Sequence, residues 1–540
     1  MARARSSEAT APTLDALPWH DFQTLCEARA GEGDRPFLIF HGHEGRELWS
    51  YATLLAAVRA RAELLHHQLG IERGERVALL LHNDPQVPIS TFAAWRIGAC
   101  VVPINLGEDD ERVRFVLENA ACRVALYLPE YADRVEGLRA ALPGVEHWIA
   151  LEPGIDPAPE PGEALPSPAP EDEALIVYTS GTTGAPKGVL LTQRNLLVDA
   201  HALAQWNEVG QDSALMCVLP THHVNGLIVT LLMPFLAGAR SVLERRFHTG
   251  GFWRRIAEEN VQIVSVVPTL LAFLLEDEAG TEGLDLGGFR HLICGAGPLT
   301  VELAARFEDR FSFPILHGYG LSETTCYSCM LPVDLLENEH RAWLREHGFP
   351  SIGVPLPPNE MAIHDEQGRP AADGARGEIV VRGVNVMKGY FRRPEANAET
   401  FAHGWFRSGD EGFLERDANG RPWFFITGRM KELIIRGGVN LSPFEIDEVL
   451  NQIPGVARGL AVGFENRWYG EEVGAYVMRE PGAEIDEASI LAACRETLPF
   501  AKSPKVVVFG EDIPVTSTGK YQRNRLRPHF EAWRDEQFRR

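Results

Sequence analysis

The sequence predicts an α/β protein with two domains, and three observations support this fold class. The chain has 540 residues, which is too long for a single hydrophobic core. Up to about residue 350, short apolar runs alternate with stretches of helical periodicity, and beyond it proline and glycine separate short alternating segments. We expect a large domain (residues 1–430) of two βα-layered sub-sheets plus a small antiparallel β subdomain, and then a small α+β domain (residues 431–540).

The βα pattern is clearest in the first part of the chain. From Trp49 to Gly70 the apolar residues recur at helical spacing, and Gly70 ends the pattern like a C-terminal cap. An almost continuous apolar run follows at residues 76–81, and a second helical stretch (90–98) leads to another run at 99–103. Buried strands that alternate with helices indicate a parallel sheet covered on both faces.

A proline-rich acidic segment, residues 152–173, interrupts this pattern and predicts a stiff, exposed linker. Candidate strands at 215–219, 263–267 and 292–294 then restart the alternation, so we expect a second, similar sub-sheet.

In the last third of the chain, short alternating segments replace the βα pattern. Residues 378–382 predict a short antiparallel strand. Beyond Lys431, a helix at 442–452 with Glu445 at its third position and a strand at 473–478 predict a separate domain of about 110 residues.

Composition restricts the classes of partner. The net charge of −23 repels nucleic acids and anionic membranes, so binding of an anion such as ATP must depend on local groups and a metal. The eight cysteines are scattered and do not form a disulfide framework, which favours a reduced, cytoplasmic setting. The longest apolar run, 226–239, contains Pro234 and is too short to span a bilayer. We expect a cytoplasmic monomer or homodimer without a membrane span.

The most informative motif is YTSGTTGAPKGV at residues 178–189, which directly follows the apolar run 174–177. A strand that ends in a glycine-rich turn brings backbone N–H groups close to phosphate oxygens, while the hydroxyls add donors and Lys187 adds a charge. It is not a nucleoside-triphosphatase P-loop, because Gly188 and not Ser or Thr follows the lysine. The alternative is an ordinary surface turn of small polar residues.

Further motifs follow downstream in a fixed order. They are GAGPL at 295–299, HGYGLSETT at 317–325, WFRSGD at 405–410, GRMKE at 428–432 and PVTSTGKY at 514–521. Together with the phosphate-loop motif, they resemble the adenylate-forming superfamily of acyl-CoA synthetases, adenylation domains and luciferases over residues 50–525. The resemblance implies an enzyme that activates a carboxylic acid as acyl-AMP, releases pyrophosphate and transfers the acyl group to CoA. It also implies ATP, Mg²⁺ and coenzyme A as the cofactors and a small mobile C-terminal domain.

The resemblance further implies a nucleotide site drawn from several motifs. Tyr319 offers an aromatic face to adenine, Ser322 a hydroxyl to the α-phosphate, and Asp410 two acceptor oxygens to the ribose diol. His317 stands where the family commonly has an amide that reads the adenine amino group, and a neutral imidazole can also accept that hydrogen bond. The implied nucleotide-binding residues are Thr179, Ser180, Gly181, Thr182, Thr183, Gly184, Gly295, Ala296, Gly297, His317, Gly318, Tyr319, Gly320, Ser322, Asp410 and Arg429.

By the same resemblance, Lys520, Glu323 and Lys187 are the catalytic residues, and none of them acts as a covalent nucleophile. Glu323 and Thr179 would hold Mg²⁺. Lys520 and the metal would offset the charge that gathers on the phosphoryl oxygens, while Lys187 would hold the departing pyrophosphate. The alternative for Glu323 is a solvated helix carboxylate, and for Lys520 a solvated surface lysine.

The acid and thiol sites carry weaker signals. The resemblance implies that Gly437 and Gly438 approach the pantetheine arm of CoA, although a plain tight turn explains them equally well. It implies that Lys431 is the pivot of the small domain and that His223 lies at the gate of the acyl pocket. His222 occupies the position of the family's usual Phe, which is a departure.

Two other functions remain open at this point. The adenylate could pass to a carrier protein in trans or to an amine, or the protein could bind a nucleotide without catalysis. The acid itself is not identified, although the apolar stretch 227–232 favours an apolar acyl or aryl group over a dicarboxylate.

Overall fold

The computed structural model describes residues 17–152, 164–179, 186–277, 280–357, 359–515 and 521–539. Within these ranges, the α-helices and strands of the first part of the chain are α1 Phe22–Arg29, β1 Pro36–Gly42, β2 Gly45–Ser50, α2 Tyr51–Glu63, β3 Arg76–Leu80, α3 Gln86–Arg96, β4 Cys100–Pro103, α4 Asp110–Ala120, β5 Cys122–Tyr127, α5 Ala132–Ala141, β6 His147–Ala150, β7 Glu173–Thr179 and β8 Lys187–Thr192. The helices and strands expected up to residue 103 are all present.

The second βα region follows. Its strands β9, β11 and β12 match the three predicted runs to within two residues, whereas β10, β13 and β14 were not predicted. Its elements are α6 Gln193–Trp206, β9 Ala214–Cys217, α7 Met233–Ala237, β10 Arg240–Glu244, α8 Thr249–Glu258, β11 Ile263–Val266, α9 Pro268–Glu276, β12 His291–Cys294, α10 Val301–Phe311, β13 Ile315–Tyr319, β14 Cys329–Met330 and α11 Glu337–Arg345. A π-helix, Asn225–Leu232, precedes α7.

Mostly antiparallel strands come next, as the alternating segments predict. They are β15 Ser351–Pro355, β16 Asn359–His364, β17 Gly377–Gly383, β18 Gly389–Tyr390, β19 Phe406–Arg416 and β20 Pro422–Arg429, with α12 Pro394–Thr400 between β18 and β19. The C-terminal region contains β21 Ile434–Arg436, β22 Val439–Leu441, α13 Pro443–Asn451, β23 Val456–Asn466, β24 Gly470–Arg479, α14 Glu487–Thr497 and β25 Val506–Phe509.

The strands form three sheets. One has seven strands in the order β18-β8-β7-β4-β3-β5-β6, and a second has 13 strands in the order β16-β17-β19-β20-β15-β14-β13-β12-β11-β9-β10-β1-β2. Except for β18, the antiparallel strands therefore extend the second βα sheet at one edge, and the N-terminal hairpin β1–β2 extends it at the other. The third sheet belongs to the smaller C-terminal domain, with the order β22-β21-β24-β23 and β25 beside β24.

One continuous apolar core connects the two large sheets. Helix α3 is buried on almost every side, as is α6, which fits helices that lie inside a layered domain and not on its surface. The C-terminal domain has its own apolar cluster around Ile446, Leu450 and Val473. This is the predicted mixed α/β architecture, with a large sheet-rich domain and a smaller C-terminal one. None of the helices that the structure describes is long and apolar enough to cross a membrane.

Candidate active site

The structure positions the two ends of the glycine-rich phosphate loop. Strands β7 and β8 are antiparallel neighbours, with Thr179 paired to Lys187. The Thr179 hydroxyl donates to the Lys187 backbone carbonyl at 3.5 Å. The middle of the loop, Ser180, Gly181, Thr182, Thr183 and Gly184, lies outside the described residues. The predicted metal ligand Thr179 and the predicted cation Lys187 therefore emerge side by side from the edge of the seven-stranded sheet.

Tyr390 connects Lys187 with the predicted metal ligand Glu323. Its phenol donates a hydrogen bond to Glu323 Oε1 at 2.8 Å, and Lys187 Nζ lies 4.7 Å from the centroid of its ring. Strand β18, which carries Tyr390, pairs with β8 directly beyond Lys187. Sequence reasoning missed Tyr390, because a strand of two residues has no periodicity. The MKGY string at 387–390 is the only signal that could have found it.

Hydrogen bonds to backbone carbonyls stabilise the loop that carries Glu323. The Met387 N–H donates to the Glu323 carbonyl at 2.8 Å. Asn385 is fully buried and donates through Nδ2 to the Thr324 carbonyl at 3.1 Å and to Asp199 Oδ1 at 2.8 Å. Burial raises the pKa of Asp199 to about 8, so this carboxyl is protonated at neutral pH. These contacts fix the backbone of the Glu323 turn without using its carboxylate.

Asp410, the predicted ribose ligand, lies where two motifs meet. Tyr319 donates through its phenol to Asp410 Oδ2 at 2.7 Å, and Arg429 Nε lies 3.0 Å from Oδ1. The side chain of Asp410 is buried, yet Oδ1 accepts no hydrogen bond of good geometry from the described residues. Oδ1 is therefore ion-paired with Arg429 but still has a free lone pair, which can accept a hydrogen bond from a ligand hydroxyl.

Tyr319 itself is only 7% exposed. The contact that the structure shows is therefore made by its hydroxyl, and stacking of its ring on adenine stays a prediction. Arg429 and Asp410 face each other across β19 and β20, which places both predicted ribose or phosphate ligands on one strand pair.

His317 is buried in β13, and the structure determines its tautomer. Its Nδ1 lies 2.9 Å from the Ser351 carbonyl, which can only accept, so Nδ1 carries the proton. Burial lowers the pKa of the imidazole to about 4, and the ring is therefore neutral at physiological pH. Nε2 is then an acceptor, as required to read an adenine amino group. Gly318 and Tyr319 are in the same strand, and Gly320 and Ser322 follow it.

The loop Gly295, Ala296 and Gly297 follows β12, which pairs with β13 in parallel register. The carboxyl ends of these two strands lie at the same edge of the sheet, so this loop and His317 are brought together.

The predicted gate residue His223 precedes the π-helix. Its ring lies against that of His222, with centroids 4.2 Å apart. Asn83 fixes this segment by donating to the Leu219 carbonyl at 3.0 Å and accepting from the Thr221 N–H at 2.9 Å. Burial lowers the pKa of His222 to about 4. The departure from the family's usual Phe thus places a neutral, inward-facing imidazole beside the gate.

The predicted hinge and thiol loop lie at the start of the C-terminal domain. Lys431 is exposed in a short 3-10 turn, Met430–Glu432, between β20 and β21. Gly437 and Gly438 form the two-residue turn of the β21–β22 hairpin with φ of 57° and 81°, a conformation that favours glycine. Both glycines are exposed, and Gly437 N–H donates to the Tyr469 carbonyl at 2.7 Å. Lys520 lies outside the described residues.

The described residues can be compared with what a Mg²⁺ ion requires. In the described ranges, no three His, Cys, Asp or Glu side chains come together as a metal cluster. Mg²⁺ is commonly held by one or two carboxylates plus substrate phosphates. Glu323, beside the ends of the phosphate loop, supplies one such carboxylate, so the residues fit a metal that arrives with a nucleotide.

Two family models match the sequence. The AMP-binding enzyme model matches residues 26–391, which is well over half of the chain, and the AMP-binding enzyme C-terminal domain model matches residues 445–520. This chain belongs to the AMP-binding enzyme family. The resemblance that the motifs indicate, to the adenylate-forming superfamily, is thereby confirmed.

Curated relatives and solved structures agree with this membership. This AMP-binding enzyme is 35% identical to sulfoacetate–CoA ligase of Cupriavidus necator, over 85% of this chain and 88% of the relative. It is 32% identical to oxalate–CoA ligase of Arabidopsis thaliana, over 89% of this chain and 93% of the relative. The structure of ATP-bound MatB from Rhodopseudomonas palustris superposes with a TM-score of 0.84 and 27% identity, over 95% of this chain and 99% of that one.

Proposed function

We propose that this protein is an ATP-dependent acid–thiol ligase that converts a carboxylic acid to an acyl adenylate and passes the acyl group to CoA. The observation that carries the proposal is the contact series from Lys187 through Tyr390 to Glu323, which joins the cation of the phosphate loop to the candidate metal carboxylate. Relatives named as CoA ligases support the same activity and favour CoA as the acceptor.

In the first half-reaction, a carboxylate oxygen of the acid attacks the α-phosphorus of ATP. A bond forms between them, the bond from the α-phosphorus to the bridging oxygen breaks, and pyrophosphate leaves. Mg²⁺ on Glu323 and Thr179 would neutralise phosphate charge, and Lys187 would hold the pyrophosphate. Asp410 and Arg429 would bind the ribose, and Lys520 would stabilise the charge on the α-phosphate.

In the second half-reaction, the CoA sulfur attacks the acyl carbon, the bond to the phosphate oxygen breaks, AMP leaves, and the thiol proton passes to solvent. The hairpin turn Gly437–Gly438 presents no side chain, so a thin pantetheine arm can run close to its backbone. We propose that the small domain, residues 431–540, turns about Lys431 to exchange Lys520 for this hairpin.

The alternative acceptor is a carrier protein in trans or an amine. Adenylation is common to all of these, so two measurements separate them. Isotope exchange between pyrophosphate and ATP should depend on an added acid, and AMP release should then equal CoA consumption. Exchange without any dependence on acid would contradict the proposal. Acid-dependent exchange without any CoA consumption would instead support the carrier or amine acceptor.

A further inference from the structure

Three buried polar side chains form one hydrogen-bonded network, which we call the polar trio: Asn225, Ser265 and Tyr327. Asn225 Nδ2 donates to the Tyr327 phenol at 3.1 Å, and the Ser265 hydroxyl donates to Asn225 Oδ1 at 2.6 Å. The Ser265 hydroxyl also lies within hydrogen-bonding reach of the phenol. The three groups can therefore satisfy one another in a closed ring. Within the part of the chain that the structure describes, the second Nδ2 hydrogen of Asn225 has no acceptor in this ring and remains to spare.

The polar trio lies between the candidate nucleotide and acid sites. The Tyr327 side chain presses against the backbone of Gly295 and Gly318, since a Cβ at either glycine would lie 2.6 Å from its hydroxyl or 2.8 Å from its ring. Gly295 is the first residue of the proposed adenine loop, directly after β12, and Gly318 is near the end of β13. Asn225 comes two residues after His223, the proposed gate. The polar trio thus contacts the proposed adenine loop on one side and is two residues from the proposed gate on the other.

Behind the polar trio, the protein is solidly packed. All residues of the π-helix Asn225–Leu232 are buried, and those from Leu227 onward are at most 2% exposed. Their apolar side chains belong to the core shared by the two sheets. The apolar stretch that favoured an apolar acid in the sequence is therefore used for packing. A long acyl chain would have to displace either this helix or the trio.

We propose that the polar trio is the floor of the acid pocket and restricts the enzyme to short acids whose far end carries a hydrogen-bond acceptor. Asn225 is the most exposed member, at 8%, against 1% for Ser265 and 2% for Tyr327. In this proposal, the remaining N–H of Asn225 faces the acid, and an acid with a methyl group there would leave that donor unpaired. This inference rests on the proposed adenylation.

The acceptor can be a neutral hydroxyl or an anionic group such as a carboxylate or sulfonate. Burial raises the pKa of the Tyr327 phenol. The nearby thiols of Cys326 and Cys294 also raise it, and the hydrogen bonds with Asn225 and Ser265 lower it. None of these is a cation. An anionic end therefore gains no counter-charge from them, and the test includes acids of both kinds.

The test measures acid-dependent exchange of pyrophosphate into ATP for acids matched in size. Glycolate is compared with propionate, and 3-hydroxypropionate, malonate and sulfoacetate are compared with butyrate; octanoate and cinnamate test length. We expect kcat/KM for the best acceptor-bearing acid to exceed that of its apolar match by about tenfold or more. A preference for octanoate, cinnamate or butyrate would overturn the inference while leaving adenylation intact. Absence of exchange with every acid would count against adenylation, and this inference would fall with it.

Asn225→Leu tests whether the preference comes from the trio. The variant keeps side-chain size and removes the donor, so the ratio within each matched pair should fall to about one or below. A merely structural effect would lower kcat/KM for both members alike and leave the ratio unchanged, which would contradict the assignment. Thr230→Val is the control, because it removes a buried hydroxyl that donates to the Gly226 carbonyl on the same helix. It should keep the wild-type ratio.

Discussion

The Tyr390 phenol donates a hydrogen bond to Glu323 Oε1 at 2.8 Å, and this bond joins two motifs that are 67 residues apart. The same ring lies beneath Lys187. The relationship predicts that Tyr390 sets the position of the metal carboxylate. Tyr390→Phe keeps the ring under the lysine and removes the hydrogen bond to a charged group, which is worth about 1.5–3 kcal/mol.

We therefore expect Tyr390→Phe to lower the rate of pyrophosphate exchange about tenfold or more and to raise the Mg²⁺ concentration needed for half-maximal rate. Tyr131→Phe is a suitable control, since that phenol pairs with His82 elsewhere in the domain. An unchanged Mg²⁺ dependence in Tyr390→Phe would show that the bond does not position a metal ligand.

Lys520→Ala should impair adenylation much more than thioester formation from preformed adenylate, because the charge of the lysine matters while the α-phosphorus is being attacked. Removing one preorganised charge-stabilising donor typically reduces the rate about 100- to 1000-fold. Single-turnover measurements of the two half-reactions provide the comparison. Lys502→Ala removes another cation of the same domain, one that pairs with Glu445, and should preserve the ratio of the two rates. Equal losses in both steps for Lys520→Ala would contradict its role.

Lys431→Pro should separate the two half-reactions. The exposed turn Met430–Glu432 connects the large domain to the C-terminal sheet, and proline would fix φ near −65° and remove a backbone donor there. The half-reaction that uses the domain orientation favoured by the variant should continue, and the other half-reaction should be lost. The thermal midpoint must stay near that of the wild type for the result to report on the hinge. A folded variant that performs both steps at wild-type rates would rule out rotation about Lys431.

Asp199→Asn should change how stability depends on pH. The pKa of Asp199 is raised by burial to about 8, from an ordinary value near 4, so the folded protein holds a proton that the unfolded chain releases. Raising the pH through this window therefore favours unfolding, by up to about 1.4 kcal/mol per pH unit from this group. The amide of Asn stays neutral and can still accept from Asn385. The thermal midpoint of Asp199→Asn relative to wild type should rise between pH 5 and pH 8, and a constant difference would mean that Asp199 does not titrate there.

Much of this protein is encoded in local sequence. The strands β3, β4, β9, β11 and β12 coincide with apolar runs because a buried parallel strand needs apolar side chains on both faces. The glycine-rich string after β7, the Asp410 motif and the turn Gly437–Gly438 are visible for a similar reason, since their backbone or chemical requirements involve only neighbouring residues. Family membership followed from the order of these motifs.

Other features depended on the tertiary structure, because they join residues that are distant in sequence. Strand β18 has two residues and gains its place only by pairing with β8, so neither Tyr390 nor its bond to Glu323 can be read from a local pattern. The tautomer of His317 depends on the Ser351 carbonyl, and the spare donor of Asn225 on Ser265 and Tyr327. The stretch Leu227–Leu232 has the same apolar residues whether it lines a pocket or fills a core, and only packing against both sheets decides that it fills the core.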